Sequence, residues 1–160
     1  MTIKEGDKVP SVTLQHMTAD GIQQVSTDEF FKGKRVVVVG VPGAFTPVCS
    51  TKHLPGFVQN ADAIKAKGID TIACISVNDA FVMDSWGKEQ NTGDEILMLA
   101  DGNADFAKAA GFEWDVSKFG MGLRSRRFAM LVEDGVVKNL LLEEGTGLDI
   151  SAAENLLDKL

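Results

Sequence analysis

The sequence is poor in cysteine, in basic charge and in long apolar runs. Its 160 residues hold two cysteines, Cys49 and Cys74. A lone pair in a chain of this length is not the disulfide framework of a small secreted domain. It reads as reduced thiols, at least one of them reactive. The formal net charge is −7, which argues against nucleic acid or an anionic membrane as the main partner. No apolar run approaches the roughly 20 residues that a membrane helix needs. Residues 1–7 have neither the apolar centre of a signal peptide nor the Arg-rich pattern of a transit peptide, so a cytoplasmic location is expected. Repeats, low-complexity tracts and linkers are also missing, and residues 1–160 are expected to form one domain with a core of ordinary size.

What is present alternates between apolar and amphipathic segments. Strands are expected over residues 11–14, 35–41, 69–77, 96–100, 128–132 and 136–142. Helical segments are expected over 27–31, 47–67, 79–90, 104–110 and 151–160, with Ser151 capping the last and Gly111 stopping the fourth. Glu133-Asp134-Gly135 carries the Asp-Gly signal of a β-hairpin. Alternating strands and helices followed by a hairpin and a closing helix predict a three-layer α/β domain with a mixed central sheet flanked by helices.

The most informative stretch is Pro42-Gly43-Ala44-Phe45-Thr46-Pro47-Val48-Cys49, which joins the apolar strand 35–41 to the helix after it. Thr46 suits the N-cap and Pro47 the first helical position, which places Cys49 third in the helix. A thiol there faces unpaired N–H groups and the positive end of the helix dipole, a setting that favours the reactive thiolate. The opposing view of Cys49 is a small buried hydrophobe, but its neighbours Thr46, Ser50, Thr51 and Lys52 are polar. Pro55 lies inside the helical run and cannot donate to the Thr51 carbonyl, so a kink is expected there.

Other candidates each admit two readings. The Thr46 hydroxyl caps the helix, or caps it and also binds a substrate oxygen. Arg124-Ser125-Arg126-Arg127 is a basic cluster in an acidic chain. Either it is a surface ion-pair cluster, or Arg127, at the mouth of a central strand, stabilises a thiolate and an anionic leaving group. Cys74 is a core cysteine, or a resolving thiol for Cys49 if their Cα atoms come within about 7 Å. His53 shares a helix face with Cys49 and is a catalytic base, a metal ligand or a structural histidine. No short-spaced second Cys/His pair completes a zinc site, and Cys-x-x-Cys is absent. Glu143-Glu144 and Asp101 read as solvated or turn residues, and the Gly145-Thr146-Gly147 segment lacks a phosphate-binding context.

Taken with Lys52-His53-Leu54-Pro55-Gly56-Phe57, the Pro42–Cys49 stretch resembles the active-site signature of the peroxiredoxins, specifically the type II branch. Ile75-Ser76-Val77-Asn78-Asp79, Leu99-Ala100-Asp101-Gly102 and Arg124-Ser125-Arg126-Arg127-Phe128-Ala129 extend the resemblance over nearly the whole chain. It implies a thioredoxin-like fold and thiol-dependent reduction of hydrogen peroxide and organic hydroperoxides through a cysteine sulfenic acid. Cys49 is similar to the peroxidatic cysteine, Thr46 to the hydroxyl that grips the peroxide, Pro42 to the residue shielding the thiolate and Arg127 to the activating guanidinium.

The resemblance also implies a homodimer packed near the active-site loops, through Phe45, Phe81 and Leu123, and no metal or organic cofactor. Some type II members resolve through a cysteine just after the Gly-Thr-Gly-Leu turn. Here that turn continues Leu148-Asp149-Ile150-Ser151, without a thiol. Regeneration by an external thiol, glutathione with glutaredoxin or thioredoxin, is therefore expected first and a Cys49–Cys74 disulfide second. A peroxide sensor acting through a protein partner is the alternative function.

Overall fold

The computed structural model describes residues 2–145 and 147–160; Met1 and Thr146, which fall in the N-terminal stretch and the Gly-Thr-Gly turn read above, lie outside the described residues. The chain opens with the hairpin β1 (Thr13–Thr18) and β2 (Gly21–Ser26), the short helix α1 (Thr27–Phe30) and the strand β3 (Arg35–Val41). Pro47 and Val48 begin a helical stretch that widens into a π-helical turn at Cys49–His53 and continues as α2 (Leu54–Gln59) and α3 (Ala61–Lys65). Then β4 (Thr71–Ser76), α4 (Ala80–Glu89), β5 (Ile96–Ala100) and α5 (Asp105–Ala110) alternate. A small ribbon, β6 (Glu113–Asp115) with β7 (Leu123–Ser125), precedes the hairpin β8 (Phe128–Glu133) and β9 (Val136–Leu142) and the closing helix α6 (Ala153–Leu157).

The main sheet has the order β2-β1-β5-β4-β3-β8-β9. Its centre, β5-β4-β3, is parallel, and its flanks are antiparallel. The central strands are continuous apolar runs because both faces are covered. One face packs Leu54, Phe57, Ile64, Met83, Trp86 and Leu156 against Val37, Val39, Ile72 and Cys74. The other packs Phe31, Phe106, Phe112 and Phe128 against Val36, Val38, Ala73 and Ile75. The result is the three-layer arrangement read from the sequence.

Several local details differ from expectation. The first strand runs to Thr18 and turns at Ala19-Asp20 into β2, which the sequence reading does not include. The helix expected over 47–67 is interrupted at Cys49–His53 and again at Asn60. The last helix is confined to Ala153–Leu157, and Ser151 does not cap it, because its hydroxyl donates to Glu143 instead. Asp101 is buried: its two carboxylate oxygens accept from the N–H groups of Phe106 and Ala107 at 3.0 Å each.

The topology gathers one end of the sheet. The parallel pair β3 and β4 ends with Val41 beside Ser76, and β8 runs antiparallel to β3 with Phe128 opposite Gly40. The residues after β3, those after β4 and the one before β8 therefore meet at the carboxyl edge of the parallel strands, where α/β sheets carry their sites.

Candidate active site

The loop from β3 into the helix is held by backbone and side-chain bonds. Asn78, just past β4, accepts from the Ala44 N–H (2.9 Å) and from the Ser76 hydroxyl (2.6 Å). Arg124 donates to the Met121 carbonyl (2.9 Å) and to the Pro42 carbonyl (3.3 Å). Gly43 admits that contact, since a Cβ there would lie 2.8 Å from the guanidinium. Pro42 is buried beneath this lattice of bonds. Phe45 takes the left-handed conformation (φ 65°) and its ring is exposed.

Cys49 follows in the first turn. The Ser50 N–H donates to the Thr46 carbonyl at 2.9 Å, so Thr46 sits at the helix boundary as expected. Its hydroxyl does not cap, however; it donates to the Gly43 carbonyl at 2.7 Å. With its proton so placed, the Thr46 oxygen keeps its lone pairs for accepting an O–H. Cys49 itself has no exposed surface. Trp86 donates to the Ser50 hydroxyl oxygen at 3.0 Å and Thr51 to the Pro47 carbonyl at 2.7 Å, pinning the turn on either side of the sulfur.

The π-turn explains the helix break. Pro55 has no N–H for the Thr51 carbonyl, and the Leu54 N–H reaches back five residues to the Cys49 carbonyl. The kink expected at Pro55 is thus taken up one turn earlier, around the cysteine, as is common for π-bulges near functional positions.

Of the basic cluster, Arg124 and Arg126 donate to carbonyls, Arg126 doubly to that of Glu143 (2.9 and 2.7 Å). Arg127 is 3% exposed. None of the three forms an ion pair among the described residues, so the cluster is not a surface salt-bridge array. Arg127 Nη1 donates to His53 Nδ1 at 3.1 Å, and its Nε has no partner among the described residues. An unpartnered buried N–H of a guanidinium is costly and marks a position where another acceptor fits.

His53 is the structural histidine of the three readings. Its Nε2 donates to the Ser151 carbonyl at 2.9 Å and its ring meets Phe57 edge-on. Burial first, and the Arg127 charge after it, lower its pKa to about 4 against the pull of the Ser151 carbonyl and Glu143. The ring is neutral at ordinary pH, with the proton on Nε2 assigned by its bonds. Glu143, read as solvated from the sequence, is buried and accepts from Asp149 N, Ser151 N and Ser151 Oγ. Burial pushes its carboxyl up, but those bonds and His53 outweigh it and hold the group below the usual range.

Cys74 lies in β4 on the face that also holds Cys49, and both are free thiols without exposed surface. Burial, and next the neighbouring Cys49, push the Cys74 thiol far up. Asn78, Trp86, Ser151 and Glu143 are the site-building residues that the sequence reading misses. For Asn78 a signal existed, since it closely follows the strand that runs alongside β3. For Ser151 and Glu143 none did, because their meeting with His53 is purely tertiary.

Residues 4–157 match the Redoxin family. Rice (Oryza sativa subsp. japonica) peroxiredoxin-2E-2, chloroplastic, is 50% identical over 164 residues, covering 99% of this chain and 73% of the relative. Arabidopsis thaliana peroxiredoxin-2E, chloroplastic, is 47% identical, covering 99% and 70%. The structure of reduced Prx3 from Vibrio vulnificus in complex with hydrogen peroxide superposes with a TM-score of 0.95 at 49% identity, covering 99% of both chains. The two plant relatives, named chloroplastic, overturn the cytoplasmic location expected from residues 1–7. That expectation took the absence of a pattern in seven residues as information, whereas nothing in the fold or the site carries a mark of compartment.

Proposed function

The chain belongs to the peroxiredoxin family of thiol-dependent peroxidases, and on that premise we propose that Cys49 is its peroxidatic sulfur, with Thr46, Arg127 and Pro42 completing the site. The observation that carries this reading is the placement of Cys49 in the first helical turn after β3, with a buried guanidinium anchored to His53 on the same helix.

The Cys49 thiolate attacks one oxygen of the peroxide. A sulfur–oxygen bond forms as the O–O bond breaks, and the departing oxygen takes a proton to leave as water or an alcohol. Sulfur is oxidised by two electrons to the sulfenic acid and the peroxide is reduced by two. The Thr46 oxygen accepts the peroxide O–H, since its own proton is given to Gly43. Arg127 carries positive charge that follows the negative charge from sulfur to the leaving oxygen in a dry site. Pro42 walls the sulfur from water.

Regeneration follows through an external thiol, of the glutathione–glutaredoxin or thioredoxin kind. It condenses with the sulfenic acid, releasing water, and a second thiol releases Cys49. The raised Cys74 thiol supports this over an internal disulfide, because a protonated buried thiol is a poor nucleophile. Residues 1–160 act as one domain, and a homodimer across the face bearing exposed Phe45 and Phe81, with half-buried Leu123, covers the apolar rim of the site. Cys49→Ser, followed in a single turnover without reductant, is expected to abolish peroxide consumption while leaving the melting temperature nearly unchanged. Consumption at the unsubstituted rate would refute the assignment.

A further inference from the structure

A surface loop is tied to the guanidinium by a continuous line of buried bonds. Glu143 is 5% exposed and gathers three donors on one carboxylate oxygen, Oε2: Asp149 N (2.8 Å), Ser151 N (2.8 Å) and Ser151 Oγ (2.7 Å). Its main chain is fixed as well, with its N–H donating to the Arg127 carbonyl (2.9 Å) and its own carbonyl accepting twice from Arg126. The segment it gathers is otherwise open, since Glu144, Gly145, Gly147, Asp149 and Ile150 are all exposed. The inward end of that segment is the Ser151 carbonyl, which meets His53 Nε2 at 2.9 Å.

The direction of the bonds decides what this line does. A carbonyl only accepts, so the His53 proton must stand on Nε2. A neutral ring then has a bare Nδ1, which is the only form able to accept from Arg127 Nη1 at 3.1 Å. Were the Ser151 carbonyl to swing away, the proton could move to Nδ1. Two donors would then face each other, and the guanidinium would shift.

Given the role of Arg127 stated above, on which this depends, we propose that Glu143 is a positioning residue for the peroxide step. Its carboxylate sets the Ser151 carbonyl, that carbonyl sets the His53 tautomer, and the tautomer sets the Arg127 guanidinium. Peroxide reactivity is thereby coupled to the bonds that Glu143 makes to Asp149 and Ser151, although neither residue touches Arg127 among the described hydrogen bonds.

Stopped-flow oxidation by hydrogen peroxide without reductant, in the full chain, separates this from a merely structural role when read beside nitrogen NMR of the His53 ring. Glu143→Ala is expected to slow oxidation about ten- to a hundredfold, the scale of a small misplacement at a reacting centre, and to turn His53 from one tautomer to a mixture. If Glu143→Ala does not fold, Glu143→Gln carries the test: a neutral amide oxygen holds three donors poorly, and a severalfold slowing with tautomer mixing is expected. Glu143→Gln or Glu143→Ala oxidising at the unsubstituted rate, or a His53 tautomer unmoved in both, would overturn the proposal. Arg127→Gln tells the two failures apart. If it oxidises normally, the role of Arg127 falls; if it is slow while the Glu143 variants are not, only the role of Glu143 falls.

Discussion

His53 is held neutral at a price in acid stability that can be read directly. Its pKa is about 4 in the folded protein against 6.5 for an unhindered histidine. The unfolded chain therefore binds the proton first, and stability falls as pH drops from 6.5 toward 4, with no further loss from this group below that. A shift of that size in a side chain 1% exposed corresponds to about 3 kcal/mol. The groups facing the ring are Arg127, which opposes its protonation, and Glu143, which assists it. Denaturant unfolding across that pH window is expected to show the loss in the unsubstituted protein and a flatter profile in His53→Leu. Parallel profiles would mean that His53 takes up its proton at an ordinary pKa in the fold. The residue-level reading from sequence is uneven for a physical reason. Cys49 is legible because strand, cap and helix start are local signals, whereas the neutrality of His53 arises from its burial and from Arg127, 74 positions away.

Among the elements, β3 shows how packing constrains the strand that delivers the site. Gly40 is in its interior, where glycine weakens a strand unless something needs the space. The Phe128 ring fills that space, and a Cβ on Gly40 would overlap it. Gly40→Ala is expected to cost about 1–3 kcal/mol through overpacking, a fall in melting temperature of roughly 2–12 °C for a chain of this size. Calorimetry would check this, and an unchanged melting temperature would mean that the ring moves freely. The buried strands β3, β4, β5 and β8 are legible as apolar runs and the half-buried edge strand β9 as the second arm of a hairpin, where Asp134 and Gly135 both take positive φ, as its signal requires. The edge strand β2 is not, because Gln23 and Gln24 are exposed and hide its alternation. Neither is the three-residue ribbon β6–β7, too short for any period to register. The π-turn at Cys49–His53 is half legible: Pro55 announces a fault in the helix but not the turn in which it is absorbed.

For the molecule as a whole, the sheet topology turns distant sequence into one site. Cys49 and Thr46 come from the end of β3, Asn78 from the end of β4 and Arg127 from the start of β8, and the antiparallel run of β8 against β3 is what brings Arg127 to the same edge. The two cysteines share one core layer, yet differ in setting. Cys49 stands at a helix start built on one proline and fixed by Trp86 and Thr51, while Cys74 is enclosed between Val39 and Met98 in the sheet. The whole account depends on that division of labour. Its most direct test is mass spectrometry of the intact protein, quenched after an equimolar addition of hydrogen peroxide without reductant, with sulfenic acid and free thiol trapped by different reagents. The account predicts a single oxygen on Cys49 and an unmodified thiol on Cys74. Oxygen carried by another residue while Cys49 remains a free thiol would contradict it.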